Sequence, residues 1–167
     1  MPIKNPKEVF LALLSDARQS TERTTKFYQE ISELAQQPEI KEALESRALI
    51  AENDLKMIDR CFTLLGEKPV KLSGRLEEMF VEDFRKELAA IEGPVARHLF
   101  ILAKLAHVIH ARIGEFVALI AAADMTGHFG VGVLLETCLA DKLVFVERTR
   151  RLIRHLIETK IAEKLVA

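Results

Sequence analysis

The 167-residue chain has no tryptophan, one tyrosine (Tyr28), two cysteines and almost no net charge, its 24 Lys and Arg standing against 25 Asp and Glu. Each shortage excludes something. Nucleic-acid binding draws on clustered positive charge that displaces condensed counterions and on aromatic rings that stack on bases, and the chain is short of both. Arg148, Arg150, Arg151, Arg154 and His155 are a local basic cluster. On a helix they spread over several faces beside Glu147 and Glu158, the pattern of a solvated surface. Cys61 and Cys138 make no CxxC or metal-ligand spacing and have apolar neighbours, so two buried free thiols in a reducing compartment are expected. Residues Met1 to Glu8 lack the apolar core of a signal peptide. The longest nearly apolar stretch, Phe116 to Ala123, is too short to span a bilayer. The expected setting is cytoplasmic, with neither a membrane nor a nucleic acid as partner.

Catalytic signatures are missing as well. There is no G-x-S-x-G elbow, phosphate-binding loop or dinucleotide fingerprint. Gly127, Gly130 and Gly132 cluster loosely, but no strand precedes them, and turn formation with close helix packing accounts for them. Strand signals are absent throughout, since no alternating run of β-branched and aromatic residues is framed by hairpin turns.

What the sequence does contain is helix. Hydrophobic residues make up 49% and charged residues 29%, the mix of one folded domain spanning 1–167 with a core of its own. Asn5-Pro6-Lys7-Glu8 is a helix start, with a capping Asn, a Pro where no donor is needed, and a Glu placed to close a capping box. From it Phe10, Leu14, Ala17, Thr21, Thr24, Tyr28, Ile31 and Ala35 recur at steps of three and four, predicting a first helix from Pro6 to Gln36. A second helix starts at Pro38, carries Ile40, Leu44, Ala48, Ala51, Leu55, Ile58 and Phe62, and stops at Gly66. The short junction at Gln36-Gln37 makes it an antiparallel neighbour of the first. Between Glu67 and Gly93 the pattern weakens to a crossover with a short helix, opened by Ser73-Gly74 and ending at Leu88, with Leu76, Met79, Phe80, Phe84 and Leu88 inward. A third long helix is predicted from Pro94 to Asp124 on Leu99, Leu102, Ala106, Ile109, Ile113, Phe116 and Ile120. A fourth follows the Thr126-Gly127 break, from His128 to Lys164, on Val131, Leu134, Cys138, Phe145, Leu152 and Leu156. The stripes are wider than a coiled-coil seam, which favours a closed bundle.

Bundles of this kind can hold two metal ions through inward Glu residues and Glu-x-x-His pairs, because residues three apart share a helix face. The residues three before His98, His107, His110, His128 and His155 are Val95, Lys104, His107, Met125 and Leu152. No Glu-x-x-His therefore exists. Glu22, Glu52, Asp54, His107, His110 and Asp141 remain as residues from which a mononuclear or degenerate site could be assembled. The competing reading places the acids at stripe edges, paired with Lys or Arg, and the histidines as hydrogen-bonded, partly buried imidazoles.

The order of segments resembles the YciE/YciF-like family of bacterial ferritin-like proteins, a domain of unknown function linked to stress responses. The resemblance is carried by Val9-Phe10, Ser20-Thr21-Glu22-Arg23, the run Pro38 to Leu44, and Val108-Ile109-His110-Ala111-Arg112-Ile113. Leu134 to Asp141 and, most specifically, the Leu-Gly-x-x-Pro ending at Leu65-Gly66-Glu67-Lys68-Pro69 add to it. It implies an all-α, ferritin-like antiparallel four-helix bundle with a long crossover carrying a short helix, commonly a homodimer, with a dimetal centre. Glu22 matches the family's first-helix acid, and His110 matches the histidine of its Glu-His-x-Glu stretch. The acids flanking that histidine are replaced here by Ile109 and Arg112, the second-helix motif reads Arg47-Ala48-Leu49-Ile50, and the acidic run of the fourth helix is reduced to Ala140-Asp141-Lys142.

Two cations need several carboxylates, and these departures remove them. The expectation is a scaffold without cofactor, in which Arg47 or Arg112 pairs with Glu22, Asp54 or Asp141, and a non-enzymatic, stress-related structural or interaction role. One alternative is an iron- or manganese-dependent oxidoreductase acting on oxygen or peroxide, with Glu22, His110 and Asp141 as ligands. Another is a helical adaptor using the basic C-terminal helix. No small-molecule substrate can be read from helix stripes.

Overall fold

Asn5 starts the first helix as its sequence predicts. Its Oδ1 accepts from the Glu8 backbone N–H at 2.9 Å, its Nδ2 donates to Glu8 Oε1 at 2.9 Å, and Glu8 Oε2 accepts from the Lys4 N–H at 2.7 Å. This reciprocal box satisfies donors that the first turn leaves open. Asn5→Ala should lower the unfolding free energy by about 1 kcal/mol, read as a lowered midpoint in urea with an unchanged slope; an unshifted midpoint would show that the box is idle.

The computed structural model describes residues 3–73 and 75–166, with side chains through residue 159. It contains α1 (Pro6–Leu34), α2 (Pro38–Leu65), α3 (Arg75–Ala89), α4 (Pro94–Met125) and α5 (Phe129–Val166), with no strand among the described residues. α1 stops two residues earlier than its stripe suggests because Pro38 holds Gln37 in an extended conformation and Ala35 already leaves the helix. α2 ends on Gly66 at φ +66°, a left-handed cap. Gly74, expected to help open the crossover helix, lies outside the described residues.

Two apolar clusters fix the topology. One joins Phe27, Tyr28 and Ile31 of α1 to Ile40 and Leu44 of α2, Leu102 and Leu105 of α4, and Leu156 of α5. The other joins Phe10 and Leu14 to Ile58 and Phe62, Phe116 and Leu119, and Leu135 and Cys138. The start of α1 thus meets the ends of α2 and α4 and the start of α5. Neighbouring helices run antiparallel in the cyclic order α1, α2, α5, α4, and α2 and α4 form one of the two diagonal, parallel pairs. The chain must therefore return the length of the bundle between them. Residues 66–93 do this, and α3 lies on the outer groove between α1 and α4.

Phe84 and Leu88 of α3 enter the core, but Leu76 and Met79, expected inward, are exposed. Met79 lies about 140° around the helix from Phe84 at 3.6 residues per turn, so both cannot face the groove. The inner row of α4 is also displaced from its expected stripe. Leu102, Ile109 and Phe116 are buried, but so are Ile101, Leu105, Val108, Arg112 and Leu119, whereas Leu99 is exposed.

Candidate functional site

Between the two apolar clusters the core is charged. Arg47 and Asp54 stand seven residues apart on α2 and so share one face, and Lys142 of α5 projects toward them. Arg47 Nη2 donates to Asp54 Oδ2 at 3.0 Å, and Lys142 Nζ donates to the same oxygen at 2.8 Å and to the Cys138 carbonyl at 3.1 Å. The three side chains are only 3%, 2% and 1% exposed. Aromatic faces complete the enclosure. The Arg47 guanidinium carbon lies 5.6 Å and 5.7 Å from the Tyr28 and Phe145 ring centroids, and Lys142 Nζ lies 3.8 Å from that of Phe116, which stabilises desolvated cations.

One carboxylate thus faces two cations, and Arg47 Nε and Nη1 have no partner. Burial, only partly offset by Asp54, holds the Lys142 ammonium pKa below its ordinary value. Burial raises the Tyr28 hydroxyl against the opposing pull of Arg47. Cys61 and Cys138 are free, buried thiols pushed up to about 12, each chiefly by burial, which leaves almost no thiolate for nucleophilic or redox chemistry.

A second charged group adjoins this one on the α1/α4 side. Arg112 Nη2 donates to the Ala17 carbonyl at 2.8 Å and to Thr21 Oγ1 at 2.9 Å, while Nη1 is paired with Glu115. Glu115 Oε1 is buried without a partner. Burial raises the Glu115 pKa; Arg112 opposes the rise, and Asp16 and Glu77 add to it. Asp16 is raised by burial and then by Glu77. Outside this group a slot of about 160 Å³ lies between α1, α3 and α4, walled by Phe27, Phe80, Val81 and Val108 and bordered by Arg112.

The residues proposed from sequence as metal ligands occupy other places. Glu22 is on the bundle surface, 45% exposed, with Lys26 at 3.2 Å and Arg18 at 3.7 Å. His110 is exposed, its Nδ1 2.7 Å from the Ala106 carbonyl, and Asp141 is half-buried beside Lys142 in sequence. Among the described residues no three His, Cys, Asp or Glu side chains are grouped to hold a metal ion. The central donors do not fit a dimetal centre, because the one carboxylate in the α2/α5 layer already accepts from two cations. Arg47 meets Asp54, one of the acids considered for it, whereas Arg112 takes Glu115, which sequence reasoning did not single out. Lys142 was also missed as a core residue. Its signal was the spacing Leu135, Cys138, Lys142, Phe145, Thr149, a four-three repeat that continues through two polar residues.

The family model described as "Domain of unknown function (DUF892)" matches residues 5–165. The chain belongs to the DUF892 family. Solved structures similar to this DUF892 chain include the Escherichia coli stress protein YciF, with a TM-score of 0.89 and 17% identity over 93% of this chain and 99% of that one. YcfI from Rhodopseudomonas palustris, described as a candidate structural protein, gives 0.85 and 21% over 89% and 94%. A protein of Xanthomonas campestris gives 0.70 and 16% over 93% and 99%. At these identities the likeness establishes the fold, a ferritin-like bundle, for this DUF892 member. No curated protein matches the chain in sequence.

Proposed function

We propose that this DUF892 chain is a ferritin-like bundle that works without metal, as a structural or interaction protein that self-associates as a dimer, in the setting of a stress response. The observation that carries the metal-free reading is Asp54, a carboxylate at the bundle centre held by Arg47 and Lys142. Divalent cations at this layer would add positive charge beside two buried cations, in surroundings of low dielectric where like charges repel strongly. The inert thiols fit the same reading, since they supply no redox couple. The stress and structural elements follow the descriptions of YciF and YcfI, whose fold this chain shares.

Protein purified without chelators, then incubated with ferrous or manganous ion and desalted, should retain far less than one metal per chain by elemental analysis. Retention of about two metals per chain, lost on replacing Glu22 and His110, would overturn the reading and favour the oxidoreductase.

A further inference from the structure

The slot between α1, α3 and α4 is a void that the chain has the side chains to fill and leaves open. Leu76 borders it yet is 79% exposed, and Met79 of the same helix turns to solvent. On α4 the residue that faces the slot beside Val108 is Ala111, whose methyl group leaves the space unoccupied. Such a void forfeits dispersion contacts that close packing secures elsewhere in the core. Its volume of about 160 Å³ sets the scale of what would restore them. An apolar cavity of about 150 Å³ stays dry and accepts benzene, whereas sites for larger ligands begin at roughly 300 Å³.

The walls are aromatic on two sides. Phe27 meets Phe80 edge to face, with ring centroids 5.8 Å apart and planes at 79°, and His107 stacks on Phe80 at 5.9 Å and 5°. Rings held near right angles turn an electron-rich face and an electropositive edge to one space, the arrangement against which a further ring packs. The charges around the slot are already engaged. Arg112 is bound to Glu115, the Ala17 carbonyl and Thr21. Arg23 meets Glu78 at 2.8 Å and Glu77 at 3.9 Å, and Glu77 accepts from Ser20 Oγ. An ion entering the slot would lose its hydration and gain no free counter-charge.

We propose that this slot is a binding site for a small uncharged aromatic molecule, a single ring with at most a short substituent. The ring lies against Phe27 and Phe80 and enters past His107 and Ala111, which are exposed. Because Phe80 and Val81 belong to α3, Phe27 to α1 and Val108 to α4, an occupant ties the crossover helix to the bundle. The site is separate from the Asp54 centre and stands whether or not the chain associates.

Toluene is the probe. It should raise the unfolding temperature of the full chain in a saturable way and shift the methyl NMR signals of Leu76, Val81 and Val108 more than those of Leu14 and Leu135 in the other cluster. Benzoate and benzylammonium carry the same ring with a charge and should bind at least about tenfold more weakly. Methylcyclohexane has the size without the aromatic ring and should bind about threefold or more weakly. Ala111→Phe, which supplies a ring from α4, should abolish the toluene effect at unchanged helicity, while Ala121→Phe, exposed on the same helix away from the slot, should retain it. The methyl signals of the native chain locate the site even where Ala111→Phe fails to fold. Absence of a saturable toluene shift would overturn the proposal, as would signals that move elsewhere in the bundle or a folded Ala111→Phe chain that responds like the native one. Binding of benzoate or benzylammonium as strong as that of toluene, or equal binding of methylcyclohexane, would overturn the ligand class.

Discussion

Asp54→Ala should destabilise the protein by about 3–5 kcal/mol, because it leaves Arg47 and Lys142 desolvated with no anion between them. That is a large part of the stability of a domain this size. The cost reflects stranded charge rather than the worth of the ion pairs. Replacing the group together, as Arg47→Met, Asp54→Leu and Lys142→Met, should therefore leave stability unchanged or raise it by about 1–4 kcal/mol. Urea unfolding of the single and triple variants separates the two effects. A mild loss in Asp54→Ala would mean that water reaches the layer, and a severe loss in the triple variant would mean that the charges hold the helices together.

Arg112→Ala should cost about 3 kcal/mol at neutral pH, the lower end of the same range with the sign reversed, stranding the half-buried Glu115 carboxylate near Asp16 and Glu77. Its pH dependence distinguishes it from a simple loss of packing. Glu115 and Asp16 have folded pKa values above their ordinary values of 4.5 and 3.8, so the folded state takes up protons more readily than the unfolded chain. Their contribution to stability is greatest below those ordinary values and is lost as pH rises through the raised folded ones. Removing Arg112 takes away the cation that opposes both shifts. The deficit of the variant relative to the native chain should therefore shrink as pH falls from 7 toward 4. A deficit independent of pH would show that the arginine acts through packing alone.

The architecture was legible in the sequence because its boundaries are marked chemically. Asn5-Pro6, Pro38, Gly66, Pro94 and Thr126-Gly127 each leave a local instruction that no tertiary contact overrides, and the helices start or stop within two residues of them. The inward side of α4 was harder to read, because its sequence is apolar nearly all round and periodicity cannot choose between Leu99 and Ile101. Only the neighbours decide, with α3 covering one flank and α5 the other. The centre was legible in part. Arg47 was picked out through its departure from the family pattern and Asp54 as an acid flanking the α2 stripe, whereas Lys142 and Glu115 were passed over because charged residues are expected at the surface. Glu22 and His110 were picked out by their helical positions and again by the resemblance, but the helix rotations that turn them toward solvent depend on packing that no single stripe encodes.

The seven-residue spacing of Arg47 and Asp54 also acts as a ruler along α2. A slide of α2 by one heptad, roughly 10.5 Å, would leave its apolar rows in register with their neighbours. Slid one way, it would bring Arg47 to the place of Asp54, cation against the Lys142 cation; slid the other way, it would bring Cys61 there, leaving that ammonium with no counter-charge. Only the native alignment presents an anion, so a layer that adds little to the depth of the energy well selects which of several equally greasy alignments the helices adopt.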